Sequence, residues 1–180
     1  VFISGTGSNL HSLIKFSKLK KSPISIEMIV SNNPKSIGLA FAKIYKIKKY
    51  ILNFKLQSSA EKELLNKLKK DKITLICLAG FMKILSKNFI LNFKGQILNI
   101  HPSLLPKYKG LNTHEKAIKN KDEYSGCTVH FVNSKLDSGK IILQKKVKIE
   151  KNDTPKSLAK KILAQEHKLY PKAILKISSL

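Results

Sequence analysis

Apolar and polar positions along this chain change period repeatedly, and the changes lay out alternating strands and helices. Val1, Phe2 and Ile3 close a strand, and Gly5-Thr6-Gly7-Ser8 make a tight loop. A helix is predicted over 9–19, with Leu10, Leu13 and Ile14 on one face. The pattern then predicts a strand over 24–30, a helix over 36–46 and a brief strand over 50–53. Ser58, followed three residues later by Glu61, reads as a capping box opening a lysine-rich helix that runs to Lys70. Residues 74–79 are continuously apolar, as expected of a central parallel strand covered on both faces. A short helix over 86–93 leads to a buried strand over 96–100. Beyond it come a helix over 112–119 and strands over 128–132 and 140–149, the second long enough to be an antiparallel partner. Asp153-Thr154-Pro155 opens a last helix, with proline at its tolerated first position.

This order predicts an α/β protein. It implies a single domain over 1–180 built on an open, mostly parallel sheet with helices on both faces. Ligands of such sheets bind outside the carboxyl ends of the strands. Three of those ends carry unusual residues, at 5–9, 79–85 and 99–110. One crevice that gathers all three is the expectation.

The third end, "NIHPSLLPKYKG", asks the sharpest question. Asn99 and His101 are two apart on a strand, so they share a face while Ile100 turns away. Pro102 and Pro106 stiffen the loop that follows. "LDSGK" places Asp137 between two strands further on. A carboxylate near an imidazole raises its pKa and fixes its orientation, and a neighbouring amide can donate to a developing oxyanion. No serine or cysteine occupies a nucleophile elbow, and no histidine pair has metal-ligand spacing. Asn99, His101 and Asp137 therefore suit acyl transfer between two substrates without a covalent enzyme intermediate.

The first end, "SGTGSN", follows a strand and opens a helix, so its backbone N–H groups can approach an anion. A dinucleotide fingerprint fails there, because Leu10 stands at the third glycine position and no acidic residue ends the next strand. A P-loop fails as well. Phosphate binding or a plain strand-to-helix turn remain. In the last helix, Leu158, Ile162, Leu169 and Ala173 mark a core stripe on which Gln165 and Glu166 also fall. A carboxylate there is either liganded or reaches past the core edge.

Charge changes the picture less than its size suggests. The chain carries 35 basic against 11 acidic residues, a net +24, which invites a nucleic-acid reading. Every one of those basic residues is lysine, and they are spread along the chain. Specific recognition of phosphate and bases favours the arginine fork, so solvated lysine surface is the expectation. No apolar run approaches the ~18 residues of a membrane span, and no export signal is evident. Cys77 and Cys127 lie in strand-like runs, as buried free thiols of a reducing, cytoplasmic compartment would.

Taken together, "ISGTGSNL", "LAGFMKIL", "LNIHPSLLPKYKGLNTHEKAI", "GCTVHFV", "LDSGKIILQKKV" and "QEHKLYP" resemble the folate-dependent formyltransferases nearly end to end. The match is most specific to the branch acting in purine synthesis. The resemblance implies a Rossmann-like fold and formyl transfer from 10-formyltetrahydrofolate to the amine of 5'-phosphoribosylglycinamide (GAR). No metal is implied, nor any specific nucleic-acid or membrane partner, and the enzyme would be a monomer or homodimer. Asn99, His101 and Asp137 would be catalytic. Gly7, Ser8 and Asn9 would hold the GAR phosphate, with Glu166 and Gln165 on its ribose side. Met82, Lys83, Ile84 and Leu85 would line the folate pocket, together with Asn99 and Gln57. Lys83 and Gln57 stand where the family often has arginine. Another folate-dependent transferase or a formyltetrahydrofolate hydrolase is the alternative enzyme, and a basic RNA-binding protein the alternative outside catalysis.

Overall fold

The computed structural model describes residues 1–179. Two compact units are distinguished, Val1–Leu98 and a second from Asn99 onward. The strands are β1 (Phe2–Ile3), β2 (Met28–Ser31), β3 (Lys48–Ile51), β4 (Leu75–Leu78), β5 (Gln96–His101), β6 (Tyr124–Phe131) and β7 (Ile141–Lys148). They form a seven-stranded sheet in the order β3-β2-β1-β4-β5-β6-β7. The helices are α1 (Ser8–Ser17), α2 (Ala40–Ile44), α3 (Gln57–Lys70), α4 (Lys87–Asn92), α5 (Thr113–Lys119) and α6 (Pro155–Ser178).

In the first unit every pairing is parallel: β1 with β2 and β4, and β2 with β3. Strand β1 is a topological switch point, since the chain winds outward from it in both directions. Phe2 and Ile3 are buried in β1, and α1 buries Leu10, Leu13 and Ile14 as its periodicity predicts. Each such side chain, fully buried, contributes about 1.5–3 kcal/mol. In the second unit β6 and β7 pair antiparallel, as expected, with a register irregularity at Val129/His130. Helix α6 packs on both strands, and Thr154 caps it in a reciprocal box with Ser157, with Pro155 in the first turn. The edge strands β3 and β7 carry Lys48, Lys49, Lys145, Lys146 and Lys148, with Lys145 and Lys146 among the exposed positions of β7.

Several element boundaries differ from the sequence expectation. Residues 24–27 are not strand, because only Met28 onward finds partners on β3. The helix expected over 36–46 opens as a 3-10 turn and is α-helical only over Ala40–Ile44. The Ser58 capping box does not form: α3 already begins at Gln57. Glu61 instead lies buried, accepting from the Ser86 N–H at 3.0 Å and from the Ser86 hydroxyl. It thereby joins α3 to the start of α4, a tertiary role that outweighs local capping.

Candidate active site

In strand β5, Ile97, Leu98, Ile100 and His101 are buried and Asn99 is half-buried. Asp137 enters from the β6–β7 turn, where it takes a left-handed φ of 43°. That turn presses on the end of β6: a Cβ at Gly139 would lie 1.6 Å from the Phe131 oxygen, so no larger residue fits. The structure brings all three predicted residues together. Asp137 Oδ2 accepts from the Gly110 N–H at 2.9 Å and lies 3.4 Å from His101 Nδ1. Its Oδ1 is 3.4 Å from Asn99 Nδ2.

A fourth group was not anticipated. His130, buried on β6, places Nε2 3.3 Å from Asn99 Nδ2 and 3.6 Å from Asp137 Oδ1. Its Nδ1 lies 2.8 Å from the Phe131 carbonyl oxygen. With its proton on Nδ1 alone, the neutral ring satisfies that carbonyl and Nε2 accepts from Asn99, which turns the amide N–H groups inward; in the doubly protonated ring, Nε2–H faces Asp137 instead. The signal was present in "GCTVHFV": Thr128 and His130 repeat the i, i+2 polar pair of Asn99 and His101.

Burial works to raise the Asp137 pKa, but His130, the Gly110 N–H and the charge on His101 together hold it below the usual carboxylate value. Burial lowers the His101 pKa, and outweighs the Tyr108 carbonyl and Asp137, which both raise it. The sequence expectation that Asp137 keeps this ring charged is thus opposed by desolvation. Yet both ring nitrogens face acceptors, Tyr108 O at 2.8 Å from Nε2 and Asp137 from Nδ1. Only the imidazolium can donate to both. The Asp137 contact is the longer, so Nδ1 is the nitrogen with room to turn to a ligand.

In the first unit, Gly7 caps α1 with φ 74°, Ser8 is half-buried and Asn9 buried. A Cβ on Gly7 would meet Gly38 Cα at 2.8 Å. The loops after β1 and β4 are joined: Ser4 N donates to Gly80 O at 3.1 Å, and Met82 N to Ser4 Oγ at 2.8 Å. The predicted phosphate loop therefore adjoins the predicted folate loop. In the latter, Met82 and Ile84 are 65% and 70% exposed, Lys83 is exposed and Leu85 is buried. Gln57 donates to the Ile84 carbonyl and to Glu61, both at 3.0 Å. Its amide holds the loop in place.

On α6, Glu166 lies in the buried stripe as expected, whereas Gln165 is only half-buried, beside the stripe. Burial, and then the charge of Glu166, push the Cys127 thiol up to about 12. Cys77 and Cys127 are both free and buried. No group of three or more His, Cys, Asp or Glu side chains poised for a metal occurs among the described residues. If Glu166 serves a substrate, Glu166→Gln should keep the stripe filled while raising the KM for that substrate about tenfold and leaving the KM for its co-substrate unchanged. Steady-state kinetics with each substrate varied will check this, and equal changes in both constants would mark a structural carboxylate.

Known proteins resemble this chain along nearly its whole length. The formyl transferase family model matches residues 1–174. Phosphoribosylglycinamide formyltransferase of Escherichia coli is 40% identical over 177 residues, which cover 97% of this chain and 84% of that protein. The human trifunctional purine biosynthetic protein adenosine-3 is 40% identical over 182 residues, but the match spans only 18% of its length. The crystal structure of phosphoribosylglycinamide formyltransferase from Anaplasma phagocytophilum superposes with a TM-score of 0.93 at 41% identity, covering 99% of this chain and 84% of that one. The Brucella melitensis enzyme gives 0.93 at 39% identity, covering 99% and 94%. A fold, a polar cluster at the end of β5 and near-full-length likeness lead to one conclusion: this chain belongs to the formyl transferase family.

Proposed function

We propose that this chain transfers the formyl group of 10-formyltetrahydrofolate to the primary amine of GAR. The observation that carries the reading is the close cluster of Asn99, His101 and Asp137, found in a chain 40% identical to a phosphoribosylglycinamide formyltransferase. The amine attacks the formyl carbon and the carbonyl π electrons move to oxygen. Asn99 Nδ2–H and His101 Nδ1–H donate to that oxyanion, a contribution that preorganised donors make without reorganising. His130 holds the Asn99 amide in the donating sense. Asp137 receives the proton shed by the attacking nitrogen and passes it toward N10 of the folate as the C–N10 bond breaks. Formylated GAR and tetrahydrofolate leave.

The phosphate of GAR is assigned to the backbone of Gly7, Ser8 and Asn9, and its ribose side to Glu166, with Gln165 beside it. Met82, Lys83, Ile84 and Leu85 are assigned to the folate, with Asn99. Gln57 serves that pocket through the Ile84 carbonyl. The reaction would run in the cytoplasm. No described helix is long and apolar enough to cross a membrane.

The test is direct. Purified protein mixed with GAR and 10-formyltetrahydrofolate should release deformylated folate, followed by absorbance, only when both are present. Folate release without GAR would identify a hydrolase, and no release with either would overturn the reading.

A further inference from the structure

Tyr108 is a bulky aromatic residue at φ 54°, in the left-handed region that such side chains rarely adopt. A residue stays there only when its surroundings fix it from several sides. Here the phenol donates to Asp122 Oδ2 at 2.7 Å and accepts from Asn120 Nδ2 at 2.8 Å. Asn120 caps the end of α5, and Asp122 lies in the turn before β6. Lys107 Nζ binds the other Asp122 oxygen at 3.0 Å, and the Ser103 hydroxyl donates to the Lys107 carbonyl at 2.6 Å. The same Tyr108 offers its own carbonyl to His101 Nε2 at 2.8 Å.

We infer that Tyr108 and Asp122 are positioning residues for His101: the phenol–carboxylate contact holds Tyr108 left-handed, and that backbone conformation aims its carbonyl at Nε2. This rests on the reading of His101 as the donor to the oxyanion. Releasing the phenol lets Tyr108 relax toward ordinary φ, which swings the carbonyl off the ring. The imidazole then loses the acceptor that pins Nε2 and, with it, the orientation that presents Nδ1. Around the ring, burial opposes its charged form most, the Tyr108 carbonyl and Asp137 favour it, and His130 and Lys116 oppose it. Loss of the carbonyl removes one of only two favourable influences, so His101 titrates at lower pH.

The experiment compares Tyr108→Phe, Asp122→Ala, Asp122→Asn and the Phe/Ala double variant. The readouts are kcat, both KM values and the His101 titration followed by NMR. Tyr108→Phe and Asp122→Ala should each lower kcat about tenfold with both KM values nearly unchanged, the scale expected of a misaimed group. The His101 midpoint should fall in both. The double variant should be no worse than either single change, because the two act through one contact. Asp122→Asn keeps an acceptor for the phenol and should retain most of kcat, and Asp122→Ala stands in where Tyr108→Phe does not fold. Unchanged kcat and an unchanged His101 titration in folded variants would reduce the contact to stability alone and overturn the inference. Should His101→Ala retain full turnover, the catalytic role of His101 falls, and this inference with it.

Discussion

Replacing His101 with alanine should lower kcat by about 10²–10⁴-fold, the span that a positioned acid supplies, and Asp137→Asn should cost a similar factor. The structure gives this expectation a sign on the pH axis. Burial already depresses the His101 pKa, against the Tyr108 carbonyl and Asp137. Asparagine at 137 removes the carboxylate charge, so the imidazole titrates lower still. Turnover that needs the charged ring is then lost first at the alkaline end, and the alkaline limb of the profile moves to lower pH. Combining His101→Ala with Asp137→Asn should add little to the worse single change, because groups working as one unit are not additive. A pH series on all three variants decides this. Fully multiplicative losses with an unmoved His101 titration would show that the two act separately.

Gly7→Val should be nearly as damaging, by a different route. Gly7 takes φ 74° at the start of α1, where any side chain strains the backbone, and its Cβ would meet Gly38 Cα at 2.8 Å. The two loops must part by several tenths of an ångström, which would pull the first N–H groups of α1 away from the phosphate proposed to sit there. The KM for GAR should rise by about 10²-fold, roughly the loss of one or two charge-assisted hydrogen bonds, while the folate KM moves far less. Because the clash also strains the fold, Tm should be measured beside the kinetics. A fall in Tm with both KM values raised equally would make Gly7 a packing residue only.

Long elements with a clean period were legible in the sequence: α1, β5, the β6–β7 pair and the Thr154-Pro155 start of α6. So was the polar pair of Asn99 and His101, because polar residues at one end of an apolar strand break its pattern. What stayed hidden depends on contacts between distant segments. Glu61 has the spacing of a cap, yet Ser86, 25 residues away, claims its carboxylate. His130 carries the polar-pair signal, but only the fold shows that it meets Asn99, 31 residues away. The sign of the His101 shift was hidden too, since desolvation is a property of everything packed around the ring.

The two strands that end the sheet, β3 and β7, have one consequence for the protein in concentrated solution. Unpaired edges are templates on which other chains can add strands, and lysine on such an edge is a means of preventing it. Lys48 and Lys49 guard one edge, and Lys145, Lys146 and Lys148 the other. With a net charge of +24, approaching copies repel before their edges can meet. An all-lysine basic surface therefore resists intermolecular β-pairing, and with it fibrillar aggregation, at low ionic strength. Salt, by screening that repulsion over about 8 Å at physiological strength, is the condition that weakens the guard.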